Sequence, residues 1–218
     1  MKIHKEGRRI ILIVVLTLVG VLLLIHFLIK PPVALLYILY SALLLIAVFT
    51  VFFFRIPVRK AIVDESKVIS GADGVVVAIE EVIEKEYFRD KRVMVSVFMS
   101  VFNIHTNFIP VSGKLIYFRH HHGKHFFAWE PKASTQNEHT TLVIETENHG
   151  PILVRQVAGA FARRIVCNHT QGSVLKQGEE LGIIKFGSRV DIYLPLSAKV
   201  YATLHQRVRG GQTVLAVF

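Results

Sequence analysis

In Lys185-Phe-Gly-Ser-Arg-Val-Asp-Ile-Tyr-Leu-Pro195, Val190, Ile192 and Leu194 alternate with Asp191 and Tyr193. That is the period-2 pattern of a half-buried strand. Leu181 to Phe186, immediately upstream, is a second apolar run, which leaves Gly187-Ser188 at a break between two strands. Taken alone, Gly-Ser at such a break is an ordinary turn. Working outward, further strands are expected at Val75–Ile79, Val93–Phe98, Lys114–Phe118, Thr141–Glu145, Ile152–Val157, Arg164–Cys167, Lys199–Thr203 and Val214–Phe218. Asp73-Gly74, Asn148-His-Gly150, Gly172, Gly178 and Gly210-Gly211 supply the turns between them. Helical patterning is scarce there, with at most a turn opening near Asn137. From Lys67 onward the chain therefore predicts a mainly β domain with a single core.

The apolar excess lies elsewhere. Hydrophobic residues make up 52% of the 218-residue chain and mean hydropathy is +0.46. Ile10 to Ile29 and Val33 to Phe54 are two apolar runs separated by Lys30-Pro31-Pro32. Each reaches the ~20 residues a helix needs to cross a bilayer. Two adjacent runs without an internal charge leave little room for a buried core helix. A cleaved signal peptide lacks its small-residue cleavage site here. His26, near the end of the first run, reads as an interfacial side chain. The expected organisation is a membrane hairpin within residues 1–60 and a β-rich, barrel-sandwich-like domain over 61–218.

Charge orients the hairpin. Lys2, Lys5, Arg8 and Arg9 precede the first span, and Arg55, Arg59 and Lys60 follow the second. Only Lys30 marks the turn, so both termini and the β domain are expected on the cytoplasmic face of the cell membrane. Residues 1–54 carry five basic residues against Glu6, and the remainder 21 against 15 acidic ones, dividing the net +10 into +4 and +6. A basic domain held at an anionic lipid surface is attracted to it. Nucleic acid is the other usual partner of a basic domain, but no nucleic-acid motif accompanies the charge. The single Cys167 excludes an internal disulfide and reads as a core thiol.

Six ordered blocks alter the reading of Gly187-Ser188. They are Ser70-Gly-Ala-Asp-Gly74, Phe98-Met-Ser-Val-Phe-Asn-Ile-His105, Pro110-Val-Ser-Gly113, Lys132-Ala-Ser-Thr-Gln-Asn-Glu138, Ala158-Gly-Ala-Phe-Ala-Arg-Arg-Ile165 and Lys185-Phe-Gly-Ser-Arg-Val-Asp191. In content and order they resemble the short bacterial and archaeal branch of the phosphatidylserine decarboxylases, and the last resembles that family's self-cleavage site. Decarboxylating an α-amino acid needs a carbonyl electron sink, which side chains lack. The resemblance implies that the sink is a pyruvoyl group made from Ser188. Its hydroxyl attacks the Gly187 carbonyl, and ester formation, elimination and hydrolysis leave chains 1–187 and 188–218. The implied partner is phosphatidylserine in the membrane, with acyl or ether tails; a homo-oligomer stays open.

The resemblance also distributes roles. Asp73 falls on the aspartate implicated in self-processing, although Asp-Gly alone reads as a hairpin turn. His105 is the proton-handling candidate, having an ordinary pKa near neutrality. Long-branch members carry a second histidine three positions later, where this chain has Phe108, so an Asp-His-Ser relay does not transfer whole. Arg163 and Arg164 are candidates for gripping the lipid phosphodiester, and neighbours on a strand point to opposite faces. Asn137 joins them as a substrate-binding candidate; Lys132 and Glu138 receive no role. His120-His121-His122 with His125 lacks a clear ligand set and reads as a surface hairpin tip, with no metal expected. Phe126, Phe127 and Trp129 beside it suit a bilayer interface. Glycine-bounded strand pairs at 172–178 and 206–214 leave one rival reading, a non-catalytic carrier or envelope-assembly module of biotinyl or lipoyl type.

Overall fold

The structure is a computed structural model describing residues 2–29, 31–124, 126–128, 133–159, 164–185 and 187–218. It divides into two units, Met1–Val58 and Arg59–Phe218.

In the first unit, β1 (Lys2–Ile3) pairs antiparallel with β2 (Arg55–Ile56) at the base of a helical hairpin. His4 caps α1 (Lys5–Leu24), its Nδ1 accepting from the Glu6 amide at 3.1 Å. A Cβ at Gly7 would lie 2.4 Å from the Phe54 side chain, so glycine permits this close approach. Ile25–Ile29 continues α1 as a π-helical turn, and α2 (Val33–Phe53) returns behind Pro32. Both helices are long and apolar enough to cross a membrane. In α2 two hydroxyls are satisfied within the helix, Ser41 donating to the Tyr37 carbonyl and Thr50 to that of Ile46. An apolar surround requires this, because it offers no water to do so.

The second unit is mainly β, as the alternation predicts. In chain order its elements are β3 (Lys67–Ile69), β4 (Gly74–Ile83), β5 (Lys91–Met99), β6 (Thr106–Phe108), β7 (Gly113–His121), α3 (Ala133–Gln136), β8 (His139–Thr146) and β9 (Gly150–Ala158). There follow β10 (Ile165–Cys167), β11 (Val174–Leu175), β12 (Glu180–Ile184), β13 (Ser188–Leu194), β14 (Lys199–Val200), β15 (Arg207–Val208) and β16 (Val214–Val217). An eight-stranded antiparallel sheet runs β11-β7-β8-β9-β13-β5-β4-β15, flanked by the sheets β10-β12-β6 and β14-β16-β3. Four strands separate β4 from β7, yet Tyr117 of β7 donates to Glu86 just beyond β4 at 3.1 Å. The large sheet must curl for them to meet.

β13 is central, paired with β5 over Ser188–Leu194 and with β9 over Ser188–Tyr193. All seven of its residues are buried, where the alternation predicts one solvated face. Val190, Ile192 and Leu194 join the main core with Val97, Leu142, Ile144 and Val154. Tyr193, on the opposite face, packs with Val143, Leu153 and Met94 inside the curl. Arg189 and Asp191 share that second face as an ion pair at 2.8 Å, so polarity there marks pairing and not exposure.

Candidate active site

Gly187 lies where the chain leaves β12 for β13 and has φ +65°, a left-handed conformation that glycine adopts without a Cβ penalty. This corner brings three groups together. The Gly187 N–H points to His105 Nε2 at 3.4 Å. On its other side His105 Nδ1 donates to the Asn103 carbonyl at 3.0 Å. A carbonyl only accepts and an amide N–H only donates, so this pairing selects the imidazole with its proton on Nδ1 and its lone pair on Nε2. His105 is fully buried, and its own carbonyl accepts from Ile184 at 3.3 Å, tying it to the end of β12.

Ser188 follows as the first residue of β13, fully buried between Met99 and Ala158. Its Oγ has no hydrogen-bond partner among the described residues. A buried hydroxyl left unbonded costs roughly 1–3 kcal/mol, so its isolation calls for a reason. The Gly187 carbonyl lies over Gly159, where an added Cβ would come 2.3 Å from the oxygen and 3.2 Å from the Ala128 Cβ. A glycine at 159 is thus a steric condition for this corner. It stands inside one of the quoted blocks, but its reason is visible only in three dimensions.

Asp73 sits elsewhere on the same end of the sheet. Gly74 opens β4, two strands from β13 across β5. The Asp73 carboxylate is held in a fork by Arg59, Oδ1 to Nη1 at 2.5 Å and Oδ2 to Nη2 at 2.7 Å, and Oδ1 also accepts from the Gly210 amide at 2.8 Å. Gly210 and Gly71 in turn enclose Phe108: a Cβ at Gly210 would meet the ring at 2.5 Å, and one at Gly71 the Phe108 carbonyl at 3.2 Å. Where the long branch has a second histidine, this chain has a buried aromatic wedge between glycine loops. Phe108 closes β6, the strand that His105 precedes, so the Asp73–Arg59 fork connects to β6 through Gly210.

The remaining sequence candidates separate. Asn137 is fully buried and its amide is committed to backbone: Nδ2 donates to the Phe126 and Ala158 carbonyls at 2.7 Å each, and Oδ1 accepts from the Phe126 amide at 2.8 Å. A substrate contact, the role expected of it, would have to displace one of these bonds. Glu138 accepts from the Ile165 amide at 3.2 Å and from His120 at 3.0 Å. Arg164 is exposed just before β10, its carbonyl accepting from Lys185 at 3.2 Å beside the Gly187 corner. Arg163, Lys132, His125 and Trp129 lie outside the described residues.

Sequence reasoning passed over a buried bracket behind Ser188. Ser134 of α3 donates to Asp191 Oδ2 at 2.7 Å, and Arg189 reaches both Ser134 and Asp191. The bracket joins α3 to β13 immediately after the corner. Its members stand in two of the quoted blocks, yet only the cross-chain contact shows them acting as a unit.

The sequence profile of the phosphatidylserine decarboxylase family matches residues 46–216. The chain is 48% identical to the phosphatidylserine decarboxylase proenzyme of Cytophaga hutchinsonii over 100% of its own length and 99% of that relative's. It is 43% identical to the proenzyme of Phocaeicola vulgatus, covering 99% of this chain and 94% of that one. With the proenzyme of Bacteroides thetaiotaomicron it shares 50% identity across 75% of this chain and 72% of the relative.

Proposed function

The chain belongs to the phosphatidylserine decarboxylase family, and from that premise we propose that it converts phosphatidylserine to phosphatidylethanolamine and carbon dioxide, using a pyruvoyl group that it makes from Ser188. The observation that carries the reading is the buried, unbonded Ser188 Oγ beside a left-handed Gly187 whose N–H meets His105 Nε2. The same corner fits the group itself. After cleavage, Arg189 and the residues beyond it stay paired between β5 and β9, so a group formed at position 188 keeps its place at the head of the strand.

Self-processing proceeds from this arrangement. His105 Nε2 takes the hydroxyl proton as Ser188 Oγ bonds to the Gly187 carbonyl carbon. The Gly187–Ser188 C–N bond breaks and the proton goes to the Ser188 nitrogen, leaving an ester. Loss of the Ser188 α-proton expels the Gly187 carboxylate and leaves a dehydroalanine, which water converts to pyruvoyl and ammonia. The pyruvoyl carbonyl then supplies the electron sink for decarboxylation. In turnover His105 Nε2 holds the proton that product formation requires. Arg163 and Arg164 are proposed to receive the lipid phosphate, whereas Asn137 acts as a positioning residue for the 126–128 segment. Asp73 and Arg59 position β6 and, through it, His105.

The hairpin is proposed to lie in the cell membrane, with the β unit on the cytoplasmic side as the Lys/Arg distribution favours. Intact mass after denaturation tests the central claim. Pieces corresponding to 1–187 and to 188–218 with an N-terminal pyruvoyl are expected; one uncleaved mass from an active preparation would overturn it.

A further inference from the structure

On the opposite face of the sheet from Ser188, inside the curl, lies a cavity of about 530 Å³. At one of its walls three chain segments meet. Glu86 comes from the β4–β5 connection, His121 from the end of β7 and His139 from the start of β8. One donor atom from each lies within 4.8 Å of the other two. The His run on β7 is split by strand alternation. His120 and His122 stack on each other at 5.3 Å, while His121 turns inward and stacks on His139 at 4.4 Å and 17°.

The surrounding contacts orient each donor. His139 is buried and its Nδ1 donates to the Asn137 carbonyl at 2.7 Å, leaving Nε2 as the lone-pair nitrogen. Glu86 Oε2 is held by Thr141 at 2.7 Å and Arg155 at 2.9 Å, which turns Oε1 toward His121 Nε2 at 2.6 Å. An imidazole held through its far nitrogen, as His139 is, and a carboxylate fixed through its second oxygen, as Glu86 is, are outer contacts of the kind metal ligands use. Glu84 also accepts from Arg155, at 3.0 Å, so two carboxylates share that guanidinium and this three-residue cluster carries one net negative charge beside the imidazoles.

We propose that Glu86, His121 and His139 bind one divalent transition-metal ion, which clasps the β4–β5 connection to β7 and β8 and keeps an open coordination position toward the cavity. Two imidazoles and a carboxylate suit zinc or cobalt, and three protein ligands with a fourth position open is a known arrangement for such ions. On binding, the metal replaces the proton shared between His121 Nε2 and Glu86 Oε1.

The full chain in detergent, stripped with chelator and titrated with Co²⁺, tests this. One ion per chain is expected, with visible d–d absorption and, with Co²⁺ or Zn²⁺ at a hundredfold excess over Kd, a Tm rise of roughly 5–10 °C. His139→Gln and Glu86→Gln should each abolish the absorption and the Tm rise, and a joint His120→Ala, His122→Ala variant should keep both. His121→Gln, at the least buried of the three positions, gives the same test should the other two variants fail to fold. The proposal is overturned if the wild-type chain shows no absorption and no stabilisation, if His121→Gln retains them, or if they vanish with His120 and His122.

Discussion

Ser188, His105 and Gly159 act at one corner through different physics, and single substitutions separate them. Ser188→Ala removes nucleophile and cofactor source together, so the chain should remain one piece without activity; two pieces from that variant would move the site elsewhere. Gly159→Ala puts a carbon 2.3 Å from the Gly187 oxygen, and the corner must shift to admit it. Cleavage there should slow at least tenfold while far-ultraviolet circular dichroism stays unchanged, as a time course of fragment appearance will show. His105→Ala should impair cleavage, and whatever matures should decarboxylate poorly. Asp73→Asn weakens the Arg59 fork and should also slow maturation. Arg59→Gln separates two meanings of that result. A bracing Asp73 needs Arg59, so both variants suffer alike, whereas a basic Asp73 would be released by losing its partner and cleavage would hold or quicken. Burial raises the Cys167 thiol pKa, so less thiolate is present at any pH below it. Alkylation of Cys167 at pH 8 should accordingly be slow in the native protein and fast in denaturant.

β13 is the element on which the proposed cleavage and stability meet. On cleavage it loses the Ser188 N–H but keeps its pairing with β5 from Arg189 to Leu194 and with β9 from Arg189 to Tyr193, and none of those bonds crosses the scissile peptide. The two pieces should therefore copurify under native conditions and part only in denaturant; spontaneous separation in buffer would contradict the register. Behind the strand, Asp191→Asn leaves the buried Arg189 without its counter-charge. Breaking such a pair costs about 3–5 kcal/mol, a loss that chemical denaturation of an otherwise uncleaved Ser188→Ala background can measure. A change below about 1 kcal/mol would mean that the pair is solvated in solution.

For the whole molecule, the proposed function assigns location to the hairpin and chemistry to the β unit. Pro57 and Val58 alone lie between β2 and Arg59, where the second unit starts. A chain starting at Arg55 should self-cleave and turn over detergent-dispersed substrate. On vesicles containing anionic lipid it should lose activity relative to the full chain, and more so as salt rises, because the net +6 of residues 55–218 is screened within about 10 Å at 0.1 M. Equal activity of both chains on vesicles at every ionic strength would remove the anchoring argument and leave the decarboxylase reading standing.

Apolar periodicity and glycine spacing, being local, already contain the two hydrophobic spans, most strands of the β unit and the Gly187-Ser188 corner. The short strands β6, β11 and β15 escaped because two or three residues cannot display a period; pairing with longer neighbours defines them. Alternation in β13 reported polarity truthfully but exposure wrongly, since Arg189 and Asp191 satisfy each other inside the curl. Asn137 and Asp73 are prominent in sequence as reactive types, yet each spends its hydrogen-bonding atoms on groups distant along the chain, Phe126 and Ala158 for one and Arg59 and Gly210 for the other. What a side chain is made of is written locally. What remains available for it to do is decided by which partners, 11 to 137 residues away, reach it first.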